Sequence, residues 1–130
     1  MDKFATSVNC IDGRVQNPIS EWMKKYLSVD YVDMITEPGP DKKLSRGPAK
    51  VIESLRQKVM ISVKVHNSST VAVSAHYNCA GNPVSKEEHL KQIKKSIKVI
   101  KSWGLPVRIL GLWINKQWRV EVIEDFGEMR

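Results

Sequence analysis

Strand-type and helix-type stretches alternate along nearly the whole chain, and this alternation restricts the fold more than any other feature. Short runs rich in β-branched and apolar residues predict strands over 4–9, 31–36, 70–75, 107–114 and 118–123. Amphipathic stretches predict helices over 18–27, 48–65 and 86–103. The order β-α-β-α-β-α-β-β is typical of a three-layer α/β domain with a central, mostly parallel sheet. The last strand is expected to lie antiparallel at an edge, after a tight turn at Asn115-Lys116.

Local signals define the start of the first helix and leave other segments open. Asn17 is expected to cap this helix, with Pro18 as its first residue. The polar segment 41–47 follows Pro38-Gly39-Pro40 and is expected to form a mobile loop. Residues 59–65 continue a helical stripe of apolar residues, although their β-branched composition also suits a strand.

The third predicted helix is amphipathic and rich in lysine. Leu90, Ile93, Ile97 and Ile100 recur at helical spacing, and lysines occupy the opposite side. We interpret the lysines as a solvated face, because no arginine cluster or binding motif accompanies the net charge of +7. Nucleic acid is therefore not an expected partner. His89 is expected, from its position in this helix, to be solvated as well.

Length and composition indicate one domain that spans residues 1–130. No apolar run approaches the roughly 20 residues needed to cross a bilayer, so a membrane is not an expected partner. The first residues carry an acid and lack the apolar core of a secretory signal. We therefore expect a cytoplasmic protein, in whose reducing surroundings paired cysteines more often bind metals or catalyse reactions than form disulfides.

Two short motifs follow the first and third predicted strands. They are Cys10-Ile11-Asp12-Gly13-Arg14 and His76-Tyr77-Asn78-Cys79, which together hold both cysteines of the chain. Parallel strands end at the same edge of a sheet, so Cys10, His76 and Cys79 are expected to meet if the two strands are neighbours. Two thiolates and an imidazole form the donor set of a catalytic Zn²⁺ site. A redox-active dithiol is a weaker interpretation, because it leaves His76, Asp12 and Arg14 without roles.

Asp12 and Arg14 lie two residues apart in the first motif and are expected to form a charge-assisted pair. The arginine would keep the carboxylate ionised and fix its direction. Asp12 would then either orient a water for attack or serve as a fourth metal ligand. A solvated ion pair in a surface turn is the structural alternative.

The two motifs, in this order and on these elements, resemble those of the β-class carbonic anhydrases. The resemblance extends over most of the chain and identifies it as a short, divergent member. It implies that Cys10, His76 and Cys79 are the zinc ligands and that Asp12 and Arg14 are the catalytic dyad. It also implies assembly into a homodimer or a larger homo-oligomer, which the four tryptophans of this small domain favour as well.

The activity expected from this resemblance is that of a carbonate dehydratase, a zinc lyase that hydrates carbon dioxide reversibly to bicarbonate. The alternative is a noncatalytic or repurposed zinc protein on the same scaffold. A repurposed member would, for example, hydrolyse a related small molecule such as carbonyl sulfide.

Overall fold

A five-stranded sheet forms the centre of the computed structural model, which describes residues 2–127. Its strands are β1 (Phe4–Asn9), β2 (Tyr31–Thr36), β3 (Thr70–His76), β4 (Arg108–Ile114) and β5 (Val120–Phe126). They lie in the order β2-β1-β3-β4-β5, with β5 antiparallel to β4 and all other pairs parallel. The predicted α/β class, the adjacency of the first and third strands and the antiparallel edge strand are confirmed.

Helices cover both faces of the sheet, which gives the predicted three layers. They are α1 (Gly13–Leu27), α2 (Pro40–Arg46), α3 (Ala49–Val65) and α4 (Lys86–Lys101). α1 packs on one face through Val15, Ile19 and Met23. The other three helices pack on the opposite face, where α3 contributes Leu55 and α4 contributes Ile93. Since β1 and β3 are buried on both faces, they read as continuous apolar or small-residue runs in the sequence.

α1 begins four residues before the cap expected at Asn17. The side chain of Asp12 accepts a hydrogen bond from the backbone N–H of Arg14 at 2.9 Å and is therefore the N-cap. Pro18 lies inside the helix and does not start it. The first motif thus ends in the first turn of α1, which places Asp12 and Arg14 on a rigid element.

The segment expected to form a mobile loop is helical, and this prediction was wrong. Residues Pro40–Arg46 form α2, which buries Leu44 against the core. Asp41 is fully buried there and binds Nδ1 of His89 through Oδ2 at 2.7 Å. His89, expected in solvent, has only 2% of its surface exposed because α2 packs over this part of α4.

Two further predictions have clear outcomes in the structure. Residues 59–65 belong to α3, because Val59 and Val63 continue its apolar stripe into the core. The strand alternative for this segment was wrong. β5 begins at Val120, two residues later than predicted, since Trp118 lies in the preceding turn at a φ of 61°.

Within the described residues, no helix has the length and apolarity required to span a membrane.

Candidate metal centre

The two motifs meet at the carboxyl edge of the sheet. Cys10 follows β1, His76 is the last residue of β3, and these strands pair directly. The Sγ atoms of Cys10 and Cys79 are 3.8 Å apart. One donor atom from each of Cys10, His76 and Cys79 lies within 4.8 Å of the other two. All three side chains are at most 5% exposed.

The chain after β3 turns sharply, and this turn returns Cys79 to His76. The N–H of Tyr77 donates to the carbonyl of Ile114 at 2.9 Å, which extends the pairing of β3 with β4 by one bond. Asn78 then adopts a φ of 59°, a left-handed conformation that asparagine tolerates better than most residues. The spacing of three residues between His76 and Cys79 therefore lets both side chains face the same point.

The imidazole of His76 is oriented as a metal ligand requires. Its Nδ1 lies 2.7 Å from the carbonyl oxygen of Tyr77. Because a carbonyl only accepts, Nδ1 carries the proton and Nε2 presents its lone pair. Nε2 is buried and has no hydrogen-bond partner among the described residues. Buried polar atoms are rarely left unpaired, so this nitrogen is an indication of a missing ligand.

The proximity of the three groups changes their protonation. The contact with the Cys79 thiol, the neighbouring imidazole of His76 and the N–H groups of Gly39 and Asp12 outweigh burial and hold the pKa of Cys10 far below its usual range. The Cys10 thiolate and burial in turn raise the pKa of Cys79. Burial lowers the pKa of His76, but the adjacent Cys10 thiolate, the carbonyl of Tyr77 and the charge of Asp12 together raise it by more.

These residues fit a tetrahedral metal ion. A tetrahedral centre with metal–sulfur bonds of about 2.3 Å separates two sulfur ligands by about 3.8 Å, which is the distance between Cys10 and Cys79. The unpaired Nε2 of His76 supplies a third donor. One tetrahedral position is then left for another group, as in catalytic rather than structural zinc sites.

Asp12 and Arg14 form a bidentate pair next to these donors. Nε of Arg14 donates to Oδ1 of Asp12 at 3.0 Å, and Nη2 donates to Oδ2 at 2.7 Å. Nη2 also donates to the carbonyl of Asn78 at 3.2 Å, which joins the two motifs. The Arg14 side chain holds the pKa of Asp12 at about 2. Oδ2 of Asp12 lies 3.8 Å from Nε2 of His76, so the ionised carboxylate faces the donor cluster.

Gln16 and Asn9 support the first motif, and the sequence analysis missed both. Nε2 of Gln16 donates to the carbonyls of Cys10 and Asp12, each at 2.8 Å. Nδ2 of Asn9 donates to Oε1 of Gln16 and to the carbonyl of Cys10. Recognition of Asp12 as the N-cap would have placed Gln16 in the first turns of α1, and this position is the sequence signal for its supporting role.

A small cleft of about 380 Å³ opens beside the donors and is lined by Cys10, Ile11, Asp12, Pro38, Ala80 and Gly81. Its walls approach closely at two glycines. A Cβ atom on Gly81 would lie 2.9 Å from the backbone nitrogen of Gly39 and 2.9 Å from the carbonyl carbon of Pro38. Glycine is therefore required for the loops after β2 and β3 to meet at this edge.

Comparisons with known proteins agree with this fold. A family model described as "Putative carbonic anhydrase" matches residues 1–124. Similar solved structures include β-carbonic anhydrase isoform I of the protozoan Trichomonas vaginalis, with 15% identity, a TM-score of 0.63, and coverage of 93% of this chain and 82% of that one. A carbonic anhydrase from Glaciozyma antarctica has 14% identity and a TM-score of 0.58, with 92% and 81% covered.

A third similar structure comes from the filamentous ascomycete Sordaria macrospora, in a report of two tetrameric β-carbonic anhydrases. It has 11% identity and a TM-score of 0.58, and the match covers 93% of this chain and 80% of that one. No curated protein sequence matches this chain. At these identities the structural likeness shows the fold, while the family model shows the family.

Proposed function

This chain belongs to the carbonic anhydrase family whose model it matches and has the fold of the β-carbonic anhydrases, and we propose that it is a zinc lyase that hydrates carbon dioxide reversibly to bicarbonate. The observation that carries the proposal is the unpaired Nε2 of His76, which lies among two buried thiols and faces an ionised carboxylate. Cys10, His76 and Cys79 would hold the zinc ion. The chemistry that zinc supplies when bound is Lewis acidity, which lowers the pKa of water to about 7.

Asp12 orients the attacking water in this proposal. Its carboxylate accepts a hydrogen bond from the water, and the water oxygen then bonds to the carbon of carbon dioxide. One C=O π bond opens to give bicarbonate, and the proton leaves to solvent. Arg14 occupies both oxygens of Asp12, which keeps the carboxylate ionised and fixed. The same contacts oppose the alternative in which Asp12 moves to the metal as a fourth ligand.

The cleft beside the donors suits a small, uncharged substrate. Ile11, Pro38 and Ala80 line it and offer carbon dioxide an apolar surface. Among the described residues that line it, Cys10 and Asp12 carry the ionisable groups. Carbon dioxide therefore reaches the donors past apolar atoms, and the product leaves as an anion past Asp12, whose negative charge favours its release.

Assembly and location belong to the same proposal. Two exposed apolar side chains, Ile11 and Tyr77, directly follow the donors Cys10 and His76 in the chain. Such a surface favours a homodimer or larger assembly, as in the tetrameric β-carbonic anhydrases of similar fold. Two free thiols suit a reducing compartment, which supports a cytoplasmic location.

The test combines metal analysis with a hydration assay. We expect about one zinc ion per chain in purified protein, and Cys79→Ser should lose most of it because one of three protein ligands is removed. Hydration of carbon dioxide should be measured by stopped flow between pH 6.5 and 9, about the range over which zinc-bound water ionises. Ser45→Ala is a control, since Ser45 is buried in α2 and its hydroxyl donates to the carbonyl of Lys42, not to a residue of the site.

Two results would contradict the proposal. Full zinc retention in both Cys10→Ser and Cys79→Ser would reject the metal centre. Zinc-loaded wild-type protein without hydration activity across this pH range would reject the lyase and favour the noncatalytic or repurposed zinc protein.

A further inference from the structure

Trp118 occupies an unusual backbone position in the turn between β4 and β5. Its φ is 61°, in the left-handed region that bulky L-residues rarely adopt. Several hydrogen bonds hold the turn in place. The N–H of Trp118 donates to the carbonyl of Asn115 at 2.8 Å, and Oδ1 of Asn115 accepts from the N–H groups of Gln117 and Arg119. The turn therefore fixes the direction of the Trp118 side chain.

The guanidinium of Arg14 lies over the indole ring of Trp118. Cζ of Arg14 is 4.6 Å from the ring centroid, which is well within the distance of a cation–π contact. The same indole lies 6.1 Å from the imidazole of His76. Arg14 thus contacts both Asp12 and Trp118, while its side chain is 49% exposed.

This contact matters because Arg14 has few other restraints. Besides the ion pair with Asp12, its described side-chain contacts are the hydrogen bond to the carbonyl of Asn78 and the indole of Trp118. A half-exposed arginine pays side-chain entropy to remain in one geometry. A rigid indole in van der Waals contact with the guanidinium removes part of that freedom before the ion pair forms.

We propose that Trp118 is a positioning residue that holds Arg14 on Asp12 and thereby fixes the carboxylate at the metal centre. The role rests on the proposed function, since it acts on a reaction only if Asp12 orients the attacking water. This role gives a function to the turn between β4 and β5, which lies outside both motifs. It also gives a reason for a tryptophan at a backbone position that favours glycine.

The alternative is that Trp118 only packs against apolar surface and does not position Arg14. Trp118 also lines an open groove with Pro18, Trp22 and Val120. If it only covered apolar surface, an aliphatic residue of similar size would replace it. Leu, Phe and Trp are all strained at this φ, so variants among them differ in the aromatic face and not in the backbone.

The experiment compares Trp118→Leu with Trp118→Phe, and uses Trp22→Leu as the matched control. Trp22 lines the same groove but stacks on Tyr26, not on Arg14. The spectroscopic readout is the Nε–Hε signal of Arg14 in ¹H–¹⁵N NMR spectra of the zinc-loaded and the metal-free protein. In wild type, the ring current of Trp118 should move this proton upfield, and the bond to Asp12 should slow its exchange with solvent.

We expect Trp118→Leu to lose the upfield shift and to exchange faster, with Trp118→Phe and Trp22→Leu close to wild type. Turnover of Trp118→Leu should fall by about two- to fivefold, the effect expected from an exposed cation–π contact, with a smaller change in KM and unchanged zinc content. In an Arg14→Gln background, Trp118→Leu should cause no further loss, because the effect passes through Arg14.

Three results would overturn the inference. They are an unchanged Arg14 signal in Trp118→Leu, an equal loss of turnover in Trp118→Leu and Trp22→Leu, and a full additional loss in the Arg14→Gln background. If wild-type protein shows no hydration activity, the proposed function fails while the NMR comparison still decides whether Trp118 holds Arg14.

Discussion

The two ring nitrogens of His76 differ in their surroundings, and this difference determines what the residue can do. Nδ1 is occupied by the carbonyl of Tyr77, whereas Nε2 faces the two thiols and the carboxylate of Asp12 without a hydrogen-bond partner among the described residues. A histidine that only stabilised the core would have both nitrogens satisfied. The unpaired Nε2 atom therefore supports a ligand role for His76 more directly than the spacing of the motif does.

Asp12→Asn tests the orienting role of the carboxylate. The side chain keeps its size but loses the charge that pairs with Arg14. We expect turnover to fall by about 100-fold, a typical contribution of a positioned acid–base group, with zinc content nearly unchanged. Stopped-flow hydration and elemental analysis measure the two quantities.

Asp30→Asn is the matched control for this variant. Asp30 accepts a hydrogen bond from the N–H of Lys3 and lies before the amino end of β2, at the opposite edge of the sheet. This control should retain wild-type turnover. Loss of zinc from Asp12→Asn would instead identify Asp12 as a ligand.

Metal binding should become weaker as the pH falls. Zinc requires a neutral imidazole and thiolates. The pKa values of His76 and Cys79 are raised, so protons compete with the metal at both residues, whereas the lowered pKa of Cys10 has already removed its proton. At a pH above the pKa of His76, metal binding should release about one proton per ion, from Cys79. At a pH below the pKa of His76, it should release about two, from Cys79 and His76.

Calorimetric titration in buffers of different protonation enthalpy counts these protons directly. The apparent affinity should be higher at pH 8 than at pH 6. An affinity that does not change between these two pH values would contradict the proposed ligands, since no proton would then be displaced from either raised group.

Much of the candidate site was predictable at the residue scale, because ligand chemistry depends on residue type. The structure brings together Cys10, His76 and Cys79 at the predicted edge of the sheet. Their roles as zinc ligands, and those of Asp12 and Arg14 as the dyad, stay predictions. The contact of Trp118 was not predictable, since it depends on a turn conformation, whereas the contacts of Gln16 were missed because the start of α1 was placed too late.

At the scale of elements, a buried pair joins α2 to α4. Oδ2 of Asp41 and Nδ1 of His89 are 2.7 Å apart, and neither side chain is more than 2% exposed. Ser96 adds a hydrogen bond to the carbonyl of Asp41 at 3.1 Å. A short helix such as α2 is marginal on its own, so these contacts and the burial of Leu44 hold it in place.

His89→Leu should destabilise the protein by about 3 kcal/mol, because it leaves the Asp41 carboxyl group buried without its partner. His66→Leu is the matched control. His66 makes a 2.7 Å contact of the same kind with Asp33, but the two side chains are 41% and 26% exposed. Its loss should cost less than about 1 kcal/mol. Urea unfolding measures both values, and equal losses would contradict the argument.

The same pair explains where the prediction of elements failed. Polar residues in segment 41–47 and a histidine in a lysine-rich helix both suggest exposure when each is considered alone. Asp41 and His89 are nevertheless buried, because they form a hydrogen bond with each other across 48 residues of sequence. Strands and the long helices were predictable from local periodicity, whereas a polar contact between distant segments was not.

At the scale of the whole molecule, the sheet order is that of the β-carbonic anhydrases although identity is 11–15% with the structures compared. Such a fold is maintained when buried positions keep apolar residues of suitable size, even if the identities of these residues change. Gly111 is an exception, since a Cβ atom there would lie 2.6 Å from Cγ2 of Ile93 and 2.8 Å from Cδ1 of Ile97, and these side chains of α4 would have to shift. The assignment of residues 1–130 to one domain stays a prediction, and Met1 and residues 128–130 lie outside the described part.

The last prediction concerns assembly. Ile11, which follows the donor Cys10, is 58% exposed, and Tyr77, which follows the donor His76, is 45% exposed. An interface at this edge would cover both side chains and would limit access of water to the cleft. Light scattering after gel filtration should therefore give at least a dimer at micromolar concentration.

Ile11→Lys should shift this assembly toward the monomer, because the interface would bury an unpaired charge. Ile61→Lys is the matched control, since Ile61 has 59% exposure but lies on α3, away from the site. It should leave the assembly unchanged. A wild-type protein that is monomeric at high concentration would reject the interface, and it would leave the metal centre untouched because every proposed ligand comes from one chain.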